Sequence, residues 1–147
     1  MRVFTIILML LLCIAATGCA NDAGANGKVV LNGKEIVSVK LECAEFCKQA
    51  GAPFAEKTFT KENGVVLKVF RKAIVNAEKM NGEVDYGVDF FMYLSFGDGT
   101  RKKYVLNVAD EAGRTALLVD TDDSSQGYTI SKGLTNELRS VIYGSND

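Results

Sequence analysis

Histidine and tryptophan are absent from this chain of 147 residues, and proline occurs once, at Pro53. The missing histidine removes the side chain most used as a general base and as a metal ligand near neutral pH. Charge of one sign is not in excess either, since 17 basic residues face 18 acidic ones and both are scattered. There is no basic stripe for nucleic acid, and no polybasic run that would hold anionic lipid by itself. Catalytic signatures are also missing. Ser-x-x-Lys, Gly-x-Ser-x-Gly, zinc-ligand and phosphate-loop patterns do not occur, so hydrolysis would have to rest on carboxylates such as Glu83, Asp85 and Asp89. No cofactor and no metal is expected.

What is present begins with a leader. Met1 and Arg2 form a positive end, Val3 to Ala16 run for 14 residues without a charge, and Ala15 to Gly18 are small. That run is shorter than the roughly 20 residues a transmembrane helix needs and has no cationic stop behind it, so residues 1–18 read as a secretory signal peptide. Ala16-Thr17-Gly18-Cys19 resembles a bacterial lipobox, although Ala16 stands where leucine is usual. The resemblance implies a diacylglyceryl thioether on Cys19, cleavage before it, and a lipid anchor holding the domain at the extracytoplasmic face of the cell membrane. Two acyl chains make such anchoring stable where one would be marginal. Plain cleavage and release is the alternative. Removing Arg2 with the leader leaves 16 basic against 18 acidic residues, a net charge of −2.

Residues 19–27 follow as a lipidated cysteine and a small, polar tether, and residues 28–147 have the length of one domain. Asn32-Gly33 favours a hairpin turn between Lys28–Leu31 and Glu35–Glu42. In the second of these runs, Ile36, Ser38, Lys40 and Glu42 alternate with Val37, Val39 and Leu41, which predicts an outer strand with one wet face. Cys43 and Cys47 lie four apart, about 13 Å along a strand, so a disulfide between them requires a turn or a helical turn. An oxidising compartment favours the bond over a pair of buried or free thiols, and over a metal or redox role. Closing so small a loop would act as a local staple.

Lys57 to Lys61 predict a short strand and Asn63 a helix cap. Val66, Phe70, Ala73, Ile74 and Ala77 then recur at helical spacing, with Gly82 as the expected C-cap. That helix is basic on its polar side; packing on a sheet is favoured over lying on the membrane. Val88 to Phe96 is apolar on both faces and reads as a central strand. Gly97-Asp98-Gly99-Thr100 turns it into Arg101–Val108, and Asp110–Gly113 turns again into Thr115–Asp120, giving a meander. Asp120 to Gly127 is acidic, but an EF-hand would need glycine and glutamate where Ser125 and Ser131 stand, so it reads as a solvated turn. Ser131 caps a closing helix with Leu134, Leu138, Val141 and Ile142 on one stripe. The fold class is therefore α+β, an antiparallel sheet of about four to six strands packed by two amphipathic helices.

The order and spacing of Phe70, Ala73, Ile74 and Ala77, Gly82-Glu83-Val84-Asp85, Asp98-Gly99, Tyr104, Gly113, Asp120-Thr121, Tyr128-Thr129-Ile130-Ser131 and Leu138 resemble the YhfM-like domain. That domain belongs to a group of small lipoproteins of Gram-positive spore-forming bacteria. The resemblance runs from about Phe59 to Tyr143, implies an anchored extracytoplasmic domain, and carries over neither catalytic residues nor anything about the cysteines. If both helices cover one side of the sheet, Phe91, Tyr93 and Val105 are left on the other as a candidate binding face for a membrane-proximal protein. In the competing arrangement, the Lys28–Phe59 region folds over that face and completes the core. A binding or interaction module is thus the leading expectation. A carboxylate hydrolase, or a regulator or inhibitor of a membrane-bound peptidase or sensor, is the alternative.

Overall fold

Strand periodicity sets the scaffold. In the computed structural model of the protein, which describes residues 31–50, 54–108 and 113–144, the run Phe90–Phe96 alternates buried and half-buried residues without a break. A strand between two layers must do so. The elements are β1 (Ile36–Cys43), α1 (Glu45–Gln49), β2 (Glu56–Phe59), a 3-10 turn (Lys61–Asn63) leading into α2 (Gly64–Val75), β3 (Glu78–Lys79), β4 (Phe90–Phe96), β5 (Arg101–Asn107), β6 (Ala116–Asp120), β7 (Gly127–Ile130) and α3 (Lys132–Tyr143). The strands form one antiparallel seven-stranded sheet in the order β2-β1-β4-β5-β6-β7-β3. The leader, Cys19, the tether and Lys28 to Val30 lie outside the described residues.

The α+β class and the meander hold, with β7 extending the meander by one strand. The sheet is larger than the four to six strands expected, and three helices with full bounds accompany it among the described residues. The additions are the two-residue β3 and the five-residue α1, both too short to carry a periodic signal. Leu31 is helical and not part of a strand, and Asn32 and Gly33, at φ 46° and 72°, turn the chain as Lys34 N–H donates to Leu31 O. β1 is not an outer strand, because β2 pairs with its far side. A bulge between Ile36 and Ser38 turns Ile36 to the same side as Val39 and Leu41, so strict alternation from Ile36 fails there.

α2 ends at Val75 with Asn76 as its C-cap, nearly two turns short of the expected Gly82. Ala77 is buried beyond the helix, and Gly82 (φ 92°) serves the return loop after β3. At the other end, Asn63 caps the 3-10 turn, where its Oδ1 accepts from Thr60 N–H at 3.1 Å. Gly99 (φ 83°) supplies the β4–β5 turn, in which Asp98 accepts from both the hydroxyl and the N–H of Thr100 and pairs with Lys34 at 3.0 Å. Those Thr100 bonds first, and Lys34 second, pull the Asp98 carboxyl down to about 2.

The core lies between one face of the sheet and the two long helices. Leu67, Phe70 and Ile74 of α2 and Leu138 and Ile142 of α3 join Val39, Leu41, Phe90, Met92, Leu94, Leu106, Leu118 and Ile130 in a single cluster. Each such side chain contributes about 1.5–3 kcal/mol when fully buried, which outweighs the weak intrinsic propensity of the valine-rich α2. Phe59 tilts against Phe70 with ring centroids 5.7 Å apart, and Phe90 against Tyr143 at 6.1 Å. Thr135 is fully buried; its hydroxyl accepts from Ala116 N–H at 2.8 Å and has Ser131 O within donor reach at 2.9 Å, tying α3 to β6.

Candidate binding face

Because side chains alternate along each strand, the sheet has a second face on which neither α2 nor α3 packs. Register places Phe91 beside Glu42 and Val105, and Tyr93 beside Lys40 and Lys103. Val105 in turn pairs with Val119, and Val119 with Gly127. Phe91, Tyr93 and Val105 are therefore neighbours, but they are not equally open. Phe91 and Tyr93 are half-buried, whereas Val105 is 4 % exposed and Val119 fully buried, both outside the main core cluster. Val105 is thus removed from the candidate surface.

The closure on that side comes from residues 80–89, which return from the sheet edge to β4 and were not expected to roof anything. Met80 N–H donates to Gly127 O, and a side chain on Gly127 would meet Val84 at 2.7 Å and Met80 at 3.3 Å, so the return segment lies directly over this glycine. Its far end is clasped by Asn107, whose Nδ2 donates to Gly87 O at 2.7 Å and whose Oδ1 accepts from Asp89 N–H at 2.9 Å. The Asp89 carboxylate accepts from Val108 N–H at 3.0 Å. Phe46 of α1 then rests on Gly87, where an added Cβ would overlap its ring. The Lys28–Phe59 alternative is thereby replaced: β1 and β2 join the sheet, and the segment between β3 and β4 does the covering.

Beyond the clasp the second face continues as a ring of cations over aromatics. Lys103 Nζ stands 3.8 Å from the Phe91 ring centroid and 5.4 Å from that of Tyr93, and Lys40 Nζ stands 5.8 Å from Tyr93. Tyr93 donates its hydroxyl proton to Glu42 at 3.1 Å, and Lys40 pairs with Glu56 at 2.7 Å. The Glu56 bond holds the Lys40 ammonium above its ordinary pKa, with Glu42 and Tyr93 adding to it. None of the ion pairs among the described residues includes Lys103, so its charge faces the rings alone. The rings and ammonium groups of this face are suited to stacking and charge contacts.

The remaining candidates are positioned as follows. Cys43 and Cys47 are joined by a disulfide, since α1 bends the chain immediately after β1 and brings their Cα atoms to 5.4 Å. Both are buried. Of the carboxylates, Asp89 serves the clasp, while Glu83 and Asp85 are exposed. In the acidic turn, Asp120 accepts from Asp122 N–H and Asp123 from the Ser125 hydroxyl, and no group of three metal-ligating side chains forms among the described residues. Lys103 and Asn107 were missed in the sequence. The register set by the Gly97–Thr100 turn would have put Lys103 opposite Tyr93, but nothing local marks Asn107 as a clasp.

A family model described as YhfM protein matches residues 51–147. The match begins after the disulfide and covers α2, the return segment and the whole meander. No match is found among curated proteins or among solved structures.

Proposed function

The chain belongs to the YhfM protein family, and on that premise we propose that it is a membrane-anchored lipoprotein whose domain is a non-catalytic binding module at the outer surface of the cell membrane. The anchor is Cys19, supported by the leader, the small residues before it and the polar stretch behind it. The observation that carries the binding role is the part of the second sheet face beyond the clasp, where Phe91 and Tyr93 stay half-exposed under Lys103 and Lys40 and no helix packs. Aromatic rings inside a polar, solvent-accessible rim are typical of protein contact surfaces. The partner is a membrane-proximal protein, and a peptidase or sensor regulated by this domain falls within the same reading.

Two measurements test it. Metabolic labelling with an alkyne fatty acid should mark the wild type and not Cys19→Ala; equal labelling removes the anchor. A photo-cross-linking residue at position 93 in intact cells should capture a membrane protein, and Phe91→Asp should abolish the capture while remaining folded and anchored. Unchanged capture in Phe91→Asp would show that this face does not bind.

A further inference from the structure

The apolar stripe of α2 is committed to the core, yet its opposite side has an unusual composition. Lys61, Val65, Lys68 and Lys72 follow at intervals of four, three and four, one row along the helix and the turn before it. Val65 is 77 % exposed, the most open large apolar side chain among the described residues. Lys72 pairs with Glu137 across to α3, but no ion pair among the described residues involves Lys61 or Lys68. Beside this row runs an open groove of about 640 Å³ whose other wall is the turn at Gly33. Lys61, Lys68 and Arg71 line it against one carboxylate, Glu35, and Ile36 and Leu67 lie at its floor. Arg71 also donates to Lys34 O at 3.4 Å, which holds the turn and the helix together.

The position of the chain entry decides what this surface meets. Leu31 leads directly into the turn that walls the groove, and Cys19 precedes it by only twelve residues. Twelve residues span at most about 43 Å in any conformation. A lipid on Cys19 therefore keeps the groove within about 43 Å of the bilayer, so the cations would meet phosphate there at high effective concentration. An exposed apolar residue set among lysines is also the arrangement that settles at a headgroup boundary.

We propose that the Lys61–Lys72 row and its groove dock onto the phosphate headgroups of anionic phospholipids in the membrane that carries the anchor. This rests on the anchored reading above. It orients the domain with α2 on the bilayer and the Phe91–Tyr93 face turned away, open to a partner. Each lysine or arginine near an anionic surface multiplies affinity about fivefold, so three cations less one carboxylate give roughly 25-fold.

The test uses the chain from residue 19 onward with Cys19→Ser, so that its outcome does not depend on lipidation and failure of the anchor is read separately by the labelling above. Co-sedimentation is measured with phosphatidylcholine vesicles, with and without about one third phosphatidylglycerol. The wild-type groove should bind only the anionic vesicles, and binding should weaken as salt is raised. Lys61→Gln/Lys68→Gln/Arg71→Gln, which removes three such factors, should bind on the order of 100-fold more weakly with an unchanged circular dichroism spectrum, and Val65→Asp, with all cations retained, should weaken it too. Equal binding to both vesicle types, or full binding by the triple variant, overturns the proposal. So does binding of inorganic phosphate at the groove without binding of vesicles, which would mark a soluble ligand.

Discussion

Replacing Asn107 with alanine removes two of the hydrogen bonds that fasten the return segment to the end of β5. Gly87 O loses a donor at 2.7 Å and Asp89 N–H loses an acceptor at 2.9 Å. Each such bond is worth about 1 kcal/mol net, and the site is only partly buried, so water can replace some of what is lost; the expected cost is about 2 kcal/mol. For a domain of this size that corresponds to a fall in Tm of roughly 8 °C. The effect should be local first. Hydrogen exchange at the Asp89 amide should rise well before the exchange of β4 and β5 core amides, because the clasp opens without unfolding the sheet. Asn107→Asp separates bonding from packing. It keeps an acceptor for Asp89 N–H but has no donor for Gly87 O, and it sets a second carboxylate beside Asp89, so it should cost more than alanine at neutral pH and recover on acidification. Urea denaturation gives the free energies. A loss below about 0.5 kcal/mol for Asn107→Ala, with Asp89 still protected from exchange, would refute the assignment of the clasp.

Cys43→Ala/Cys47→Ala should lower stability by about 2 kcal/mol, the chain-entropy value for so short a loop, readable as a shift in the urea midpoint that reductant reproduces in the wild type. Thr135→Val leaves Ala116 N–H buried without its acceptor and should cost about 1–3 kcal/mol, whereas Thr135→Ser, which keeps the hydroxyl, should cost less; equal losses would assign Thr135 to packing alone. Burial first, and the Asp120 charge second, raise the Tyr104 hydroxyl well above its ordinary value, and the same causes raise Tyr128. The folded state holds these protons more tightly than the unfolded one, so their contribution is complete below about pH 10 and is lost as pH rises above it. Thermal melts across that range should show a falling Tm that Tyr104→Phe flattens.

The elements that were legible before folding are those whose signal is local. Alternation from Phe90 to Phe96, the Gly97–Thr100 turn, the helical spacing of Phe70, Ala73 and Ile74, and the Ser131 start of α3 each depend on residues within a few positions of one another. So did the requirement that a bond between Cys43 and Cys47 bend the chain, which α1 meets. The expected leader and the anchor proposed at Cys19 rest on composition and order in the same way, and lie outside the described residues.

What tertiary structure alone decided is which of two apolar faces stays open. Phe91 and Val105 are cross-strand partners with similar hydrophobicity, yet one is half-exposed and the other is closed. The difference is made by the return segment at Gly127 and by Asn107 holding Gly87 and Asp89, contacts between residues about twenty to nearly fifty positions apart. The bulge that turns Ile36 inward and the groove between Gly33 and α2 are of the same kind. Periodicity reports which side of an element is apolar, because that depends on backbone geometry repeated along one stretch of chain. Which of those sides is covered depends on where distant segments return, and that is settled only when the whole chain packs.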